Sequence, residues 1–295
     1  MHSTPTIHAS HSQSFKTPMP FDRTTFHQSL TFFQAQAGLP EETVVLHWFE
    51  TTDSTNRKLW GLIDRGLESP VVIAETQTAG KGQYGRQWVS SPGGLYLSMA
   101  IAPQSPAQMT LTTVWGLAEL LNQAGIPVQI KWLNDLVIQG RKLGGILTEA
   151  KWRGGEMAGA IVGIGLNVSN PVPETGISLQ QFFTENATTL HDFLQKVPGE
   201  AGAPLEKVAG LCVASVQLGQ QCLTNFGLDV LRDSYQAHLA HLGQPVQIDG
   251  RQGIIVGVRA DGNLCVRFMS EGRDLDLSSE EEIYLQPGTM SLGYC

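Results

Sequence analysis

Two cations and three glycines crowd one short stretch of the chain, Gly80-Lys-Gly-Gln-Tyr-Gly-Arg86, which Trp88 follows. Lysine and arginine attract negative oxygen, and glycines let backbone N–H groups come close to an anion. The stretch therefore suits a phosphoanhydride or a carboxylate. Its literal G-x-G-x-x-G, at Gly80, Gly82 and Gly85, invites a dinucleotide-binding reading. That motif must open directly into a helix whose N-terminus holds the pyrophosphate. Val71-Val-Ile-Ala74 upstream reads as a buried strand, as required. Downstream, Ser91-Pro-Gly-Gly94 breaks any helix and Leu95–Ile101 reads as another strand. A protein kinase does string this pattern between strands, yet Gln87 stands where its valine belongs, and no H-R-D or D-F-G follows. What is left is a basic, glycine-rich loop between two strands. Taken alone, a surface hairpin loop without a ligand fits it equally well.

Three further segments share its character. Glu50-Thr-Thr-Asp-Ser-Thr-Asn56 precedes Arg57–Ile63, and Asp53, Ser54 or Thr55 is placed to cap a helix there. The plainer reading of that segment is a capped surface helix. Val128–Ile138 reads as an apolar strand with Lys131 in its interior. A buried ammonium is costly unless paired, so a site explains it better than a core role. An Asn134-Asp135 step follows, then a Gln139-Gly140 turn, and Arg141-Lys142 enters the next strand. Ala160–Val168 is a strand carrying Gly163 and Gly165 and ending at Asn167. Glycine weakens a strand and marks a place where a ligand or another segment comes close.

In this order and spacing, the segments resemble the catalytic domain of biotin protein ligases (biotin–[acetyl-CoA carboxylase] ligases). The residues that carry the resemblance are Asp53-Ser-Thr-Asn56, Gln77-x-x-Gly-Lys-Gly-x-x-Gly-Arg-x-Trp88, Lys131-Trp-x-Asn-Asp135, Arg141-Lys-Leu-x-Gly-Ile-Leu147 and Gly163-Ile-Gly-Leu-Asn167. It is strong over about residues 44–170 and weaker to about 285. Lipoate ligases and octanoyltransferases share the superfamily fold. The combination of Gly-Lys-Gly-x-x-Gly-Arg with Lys-Trp-x-Asn-Asp favours biotin.

The resemblance implies an α/β fold: a mixed-sheet catalytic domain over residues 41–241 and a small C-terminal SH3-like β-barrel over 242–295. It implies ATP with Mg²⁺, biotin as substrate, and the biotin carboxyl carrier domain of acetyl-CoA carboxylase as partner. A carboxylate is a poor electrophile, so ATP must first convert it to an acyl-adenylate, which a lysine amine then attacks. Neither step needs an enzyme nucleophile; both need negative charges gathered and a leaving phosphate stabilised. By the same resemblance Ser54, Thr55, Asn56 and Gln77 hydrogen-bond the ureido head. Gly82, Gln83 and Gly145 complete the biotin site. Lys142 bridges the biotin carboxylate and the α-phosphate. Lys81 and Arg86 bind phosphate oxygens. Gly80, Gly85 and Lys131 belong to the nucleotide side, with Trp88 near the adenine and Asn167 at its edge. Asn134 and Asp135 organise the site or a Mg²⁺ carried with ATP. Lys142, Arg86, Lys81 and Asp135 form the expected catalytic set. Some members have Arg where this chain has Gln83, and a neutral amide holds phosphate less strongly than a guanidinium.

Two readings of other classes stay open beside this one. The first is a lipoate or octanoate ligase, whose aliphatic substrate leaves Ser54, Thr55, Asn56 and Gln77 without partners. The second is a non-enzymatic biotin sensor. Some family members carry an N-terminal helix-turn-helix and repress transcription. Residues 22–38 have room for one helix, with Phe26, Leu30 and Phe33 on one face, and no basic recognition segment, so a DNA-binding domain is not expected.

The rest of the chain is compatible. Its 295 residues suffice for a catalytic domain and one small domain, and the net charge of −8 does not favour nucleic acid as a partner. Cys212, Cys222, Cys265 and Cys295 form no C-x-x-C and read as reduced cytosolic thiols, with no protein metal site. No apolar run is long enough to span a membrane, and a cytoplasmic location is expected. The sequence carries no signal for oligomeric state. Residues 1–40 form an N-terminal extension, with its Ser-, Thr-, His- and Pro-rich first 21 residues expected to be disordered. Helices are expected at 54–65, 109–124, 205–226 and 228–241, with a short one at 190–196. Asp249-Gly250 and Asp261-Gly262 are hairpin signals between short strands. His238 and His241 read as a solvated helix end, and Glu280–Glu282 as a solvated edge.

Overall fold

The computed structural model describes residues 21–68, 70–268, 281–290 and 292–293. The expected disorder before residue 21, Glu280 and Cys295 lie outside them.

Seven strands form one mixed sheet: β1 (Val45–Thr52), β2 (Pro70–Gln77), β3 (Leu95–Ile101), β4 (Gln129–Lys131), β5 (Asp135–Ile138), β6 (Arg141–Arg153) and β7 (Glu156–Leu166). Their order is β1-β2-β3-β7-β6-β5-β4. β1 and β2 are parallel, and every other neighbouring pair in this sheet is antiparallel. The parallel pair needs a crossover, and α2 (Thr55–Ile63) supplies it. Leu59 of α2 packs on Val72 and Ile161, all fully buried, on one face of the sheet. The larger core lies on the other face, where α3 (Pro106–Gln123), α6 (Pro204–Ala237) and α1 (Arg23–Gln36) pack with Val71, Ile73, Leu97 and Val162. Alternate residues of β2 and β3 therefore serve two layers, which is why those strands read as continuous apolar runs. Two short helices, α4 (Leu179–Glu185) and α5 (Leu190–Leu194), occupy the stretch before α6.

Asp22 caps α1, its carboxylate accepting from Thr24 N and Thr25 N. Ser105 and Gln108 make a capping box at the start of α3, with Pro106 in the first turn, so α3 begins three residues earlier than expected. The expected break between two helices falls at Gly227, whose φ of 80° and ψ of 175° interrupt α6. The end of α6 corrects the sequence reading. Helix stops at Ala237, and the next residues join the edge of β4: Ile130 N donates to His238 O at 2.8 Å and Ala240 N to Ile130 O at 2.8 Å. His238 is no solvated terminus either, because its Nε2 lies 2.9 Å from Glu119 Oε2. Burial, and then the Lys131 charge, lower the pKa of His241.

The segment 128–138 is a second correction. It is not one strand with Lys131 inside it. β4 ends at Lys131 and β5 begins at Asp135, the two pairing antiparallel with Lys131 opposite Asp135. The polar pair Asn134-Asp135 is the far side of that turn.

Four more strands, β8 (Pro245–Ile248), β9 (Arg251–Val258), β10 (Leu264–Phe268) and β11 (Glu282–Leu285), form an antiparallel sheet in the order β11-β10-β9-β8. Its first turn is the expected Asp249-Gly250, with φ of 49° and 83° at the two residues. This sheet is fastened to the β4–β5 turn and to α6: Trp132 Nε1 donates to Gly262 O at 2.9 Å, and Val258 N donates to Gln236 Oε1 at 2.7 Å. Glu281 and Glu282 face Arg251 and Arg267, surface pairs of small energetic weight.

Among the described residues no helix is long and apolar enough to cross a membrane, and no three His, Cys, Asp or Glu side chains cluster as metal ligands. Cys212, Cys222 and Cys265 are buried free thiols, and burial pushes Cys212 up to about 12. A thiol that stays protonated is a poor nucleophile. Cys212 is therefore expected to escape a thiol-disulfide reagent at pH 8 in the folded protein and to react once the chain is denatured, read by peptide mass. Reaction of the native protein at the denatured rate would contradict its burial.

Candidate functional site

One cleft collects residues from six places in the fold. The turn from β1 into α2 gives Ser54, Thr55 and Asn56, and the end of β2 gives Gln77. The glycine-rich loop adds Lys81, Gly82, Gln83, Arg86 and Trp88. Asn134 and Asp135 come from the β4–β5 turn, and Lys142 and Gly145 from β6. The floor is β7 at Gly163–Gly165. Parallel β1 and β2 end side by side, which is what brings the Ser-Thr-Asn segment against Gln77.

The first group is held by hydrogen bonds. Thr55 N donates to Gln77 Oε1 at 2.8 Å, and Thr55 Oγ1 is 3.1 Å from the same oxygen. Gln77 Nε2 donates to Ser90 Oγ at 2.8 Å, and Ser90 Oγ to Trp88 O at 3.2 Å. Ser54 occupies the N-cap position but makes no capping bond, so its hydroxyl is not used by the helix. Asn56 is 4% exposed, and its Nδ2 is buried without a hydrogen-bond partner. A buried amide N–H without an acceptor costs free energy, so this atom is built to meet one.

The two strand glycines are explained by what lies on them. A Cβ at Gly163 would stand 2.3 Å from Asn56 Oδ1, and one at Gly165 would stand 2.5 Å from Trp88 Cε2. Only a bare backbone lets the amide and the indole lie against β7. The loop is itself folded: Gly82 N donates to Arg86 O at 2.7 Å, and Trp88 N to Gly80 O at 3.0 Å. Tyr84 and Gly85 take φ of 56° and 73° at its tip.

Elsewhere on the cleft wall, Lys142 Nζ lies 2.8 Å from Asp135 Oδ1 and 5.2 Å from the centre of the Trp88 ring. Asn134 ties its turn to β6, donating from Nδ2 to Ile146 O at 2.8 Å. The cleft thus has a neutral, donor- and acceptor-bearing part and a cationic part. It fits a molecule with a polar neutral head and an anion.

Four expected residues are not on the walls of this cleft. Gly80 makes room inside the loop, since a Cβ there would stand 2.5 Å from Trp88 O and 2.7 Å from Ser90 Oγ. Gly85 shapes the loop tip. Lys131, 6% exposed, lines a neighbouring cavity with Arg86, Gln83 and the segment Pro287–Met290. Asn167 is engaged within the protein, its Nδ2 donating to Lys142 O at 3.2 Å and its Oδ1 accepting from Asn170 at 3.1 Å. Its evident work is to hold the backbone of Lys142. The expected set lacked Gln87, Ile146, Leu147 and Ile164, which line the cleft, and Ser90 and Ser98, which bond to Gln77, Thr55 and Asn56 without lining it.

Residues 48–167 match the model of the Biotin/lipoate A/B protein ligase family. The chain is 30% identical over 227 residues to a biotin–[acetyl-CoA-carboxylase] ligase of Paracoccus denitrificans, covering 73% of this chain and 91% of that one. The chain belongs to the biotin protein ligase family. It is also 35% identical over 141 residues to the bifunctional ligase/repressor BirA of Bacillus subtilis, covering 45% of this chain and 43% of that one. In fold it resembles the biotin protein ligase of Aquifex aeolicus solved with biotin and ATP, at a TM-score of 0.58 and 23% identity, covering 81% of this chain and 95% of that one. All five family motifs in this chain supply residues to the cleft or to its immediate support.

Proposed function

We propose that this ligase joins biotin to ATP as biotinyl-5′-AMP and then transfers the biotinyl group to a lysine of the biotin carboxyl carrier domain of acetyl-CoA carboxylase. The observation that carries this reading is the mixed lining of the cleft: a buried, unpartnered amide N–H at Asn56, against Gly163, and the ammonium of Lys142, beside Gly145 and the Trp88 ring. A ureido ring offers an oxygen to the first, and a valerate carboxylate reaches toward the second.

In the first step a biotin carboxylate oxygen forms a bond to the α-phosphorus of ATP. The bond from that phosphorus to the β-bridging oxygen breaks, and pyrophosphate leaves. Two anions must approach one another, and in this reading Lys142 sits between them, with Lys81 and Arg86 along the phosphates. Mg²⁺ would neutralise the phosphates it arrives with. Among the described residues Asp135 is the one carboxylate at the cleft wall, a donor set that suits an ion held mainly by phosphates rather than by a protein cage. In the second step the lysine amine of the carrier attacks the acyl carbon. The acyl–oxygen bond to AMP breaks, and the amine gives up a proton. The cytoplasm is the compartment this reading implies, where ATP is supplied and thiols such as Cys212 stay reduced.

The test is to incubate the protein with ATP, Mg²⁺ and a carrier domain, adding biotin, lipoate or octanoate in turn. Carrier mass is expected to rise by one biotinyl group with biotin alone. Modification by octanoate or lipoate in preference to biotin, or no modification at all, would overturn the assignment.

A further inference from the structure

Ser98 lies in the middle of β3, in the apolar run Leu95-Tyr-Leu-Ser-Met-Ala-Ile101, and is fully buried. It belongs to no family motif quoted above. Its Oγ lies 2.6 Å from Asn56 Oδ1 and 2.7 Å from Thr55 Oγ1. Its strand neighbour Gly163 is the residue whose missing side chain leaves space for Asn56.

Proton counting decides what this contact does. A hydroxyl has one hydrogen to give. Thr55 N already donates to Gln77 Oε1 at 2.8 Å, a shorter contact than the 3.1 Å from Thr55 Oγ1. The Gln77 oxygen has a second lone pair for the Thr55 hydroxyl, and Ser98 Oγ, with one proton and two acceptors before it, gives it to the nearer one, Asn56 Oδ1 at 2.6 Å, rather than to Thr55 Oγ1 at 2.7 Å. With Oδ1 taken by Ser98, the NH₂ is the end of the amide left without a protein partner. Without Ser98, nothing among these contacts fixes which end of the amide faces the ligand.

We infer that Ser98 is a positioning residue that sets the polarity of Asn56, and so makes the site select a ligand whose head offers a hydrogen-bond acceptor. This rests on the proposed biotin site. Ser98 touches no substrate; it acts through Asn56, and its effect belongs to ligand selection rather than to the chemistry at the carboxylate.

The test compares wild type with Ser98→Ala and Ser98→Thr, using biotin and 2-iminobiotin, in which the ureido oxygen is replaced by NH. Binding is measured by calorimetry and adenylate formation by pyrophosphate release. In Ser98→Ala the Kd and KM for biotin are expected to rise about tenfold, the loss of one oriented hydrogen bond, while kcat stays within about twofold. The preference for biotin over 2-iminobiotin is expected to narrow, because a free amide can turn its oxygen to the analogue. Ser98→Thr, which keeps the hydroxyl, is expected to keep the preference. Equal weakening of both ligands in Ser98→Ala, or a fall in kcat at constant KM, would overturn the inference. Failure of wild type itself to bind biotin would instead remove the proposed function.

Discussion

Replacement of Lys142 by alanine is expected to slow biotinyl-adenylate formation by about 10²–10³-fold, the usual cost of removing one preorganised charge from a developing anionic transition state. The expectation follows from position. Lys142 is the second residue of β6, its carbonyl is held by Asn167 Nδ2 at 3.2 Å, and its ammonium is steered by Asp135 at 2.8 Å. The Trp88 ring, 5.2 Å away, gives the same ammonium a second neighbour. A charge fixed from three sides need not reorganise when the carboxylate and the α-phosphate converge. The fold should survive, since the side chain reaches solvent and leaves no sealed cavity. Pre-steady-state pyrophosphate release measures the step, and circular dichroism checks the fold. A folded Lys142→Ala variant with near wild-type release would reject the role. Lys142→Arg is expected to restore little, because a planar guanidinium cannot put a compact charge at the same point.

The sequence made the strands and helices readable wherever one physical signal dominated. Leu59, Val72 and Ile161 fall at helical and strand spacing, and they form the layer under α2. Gly163 and Gly165 advertised a close approach, and the structure shows the approaching groups to be Asn56 and Trp88. What failed had no local signal. The turn between β4 and β5 interrupts an apolar run with no Gly or Pro to announce it, so Lys131 was read as interior. The end of α6 is decided by the edge of β4, which needed two backbone bonds from His238 and Ala240, a demand invisible from the helix itself. In the site, the motif residues were legible because chemistry restricts their types. Ser98 was not, because one serine in an apolar strand is ordinarily just a tolerated small residue. Its meaning comes from the residue that the crossover helix sets beside it.

Gly165→Ala carries the second large expected effect, and it is a test of packing rather than charge. The Cβ would fall 2.5 Å from Trp88 Cε2, 2.7 Å from Nε1 and 2.8 Å from Cζ2, all closer than atoms can rest. The Trp88 main chain cannot carry the indole away, because Trp88 N is tied to Gly80 O at 3.0 Å and Trp88 O accepts from Ser90 Oγ at 3.2 Å, so relief must come from a side-chain rotation that takes the ring off β7. Nor can β7 retreat, since Gly165 pairs with Tyr96 on one side and Gly145 on the other. Overpacking of this kind costs ~1–3 kcal/mol, which corresponds to about 5- to 150-fold in an affinity. Because the displaced group is the proposed wall of the adenine site, the loss is expected in the KM for ATP, with biotin binding in the absence of ATP changed much less. Trp88→Ala removes the other half of the clash, so the double variant should be no worse than Trp88→Ala alone. Initial rates at varied ATP and calorimetry with biotin measure both quantities. Additive losses in the double variant would mean that Gly165 and Trp88 act separately, and that the bare strand at this point serves some purpose other than seating the indole.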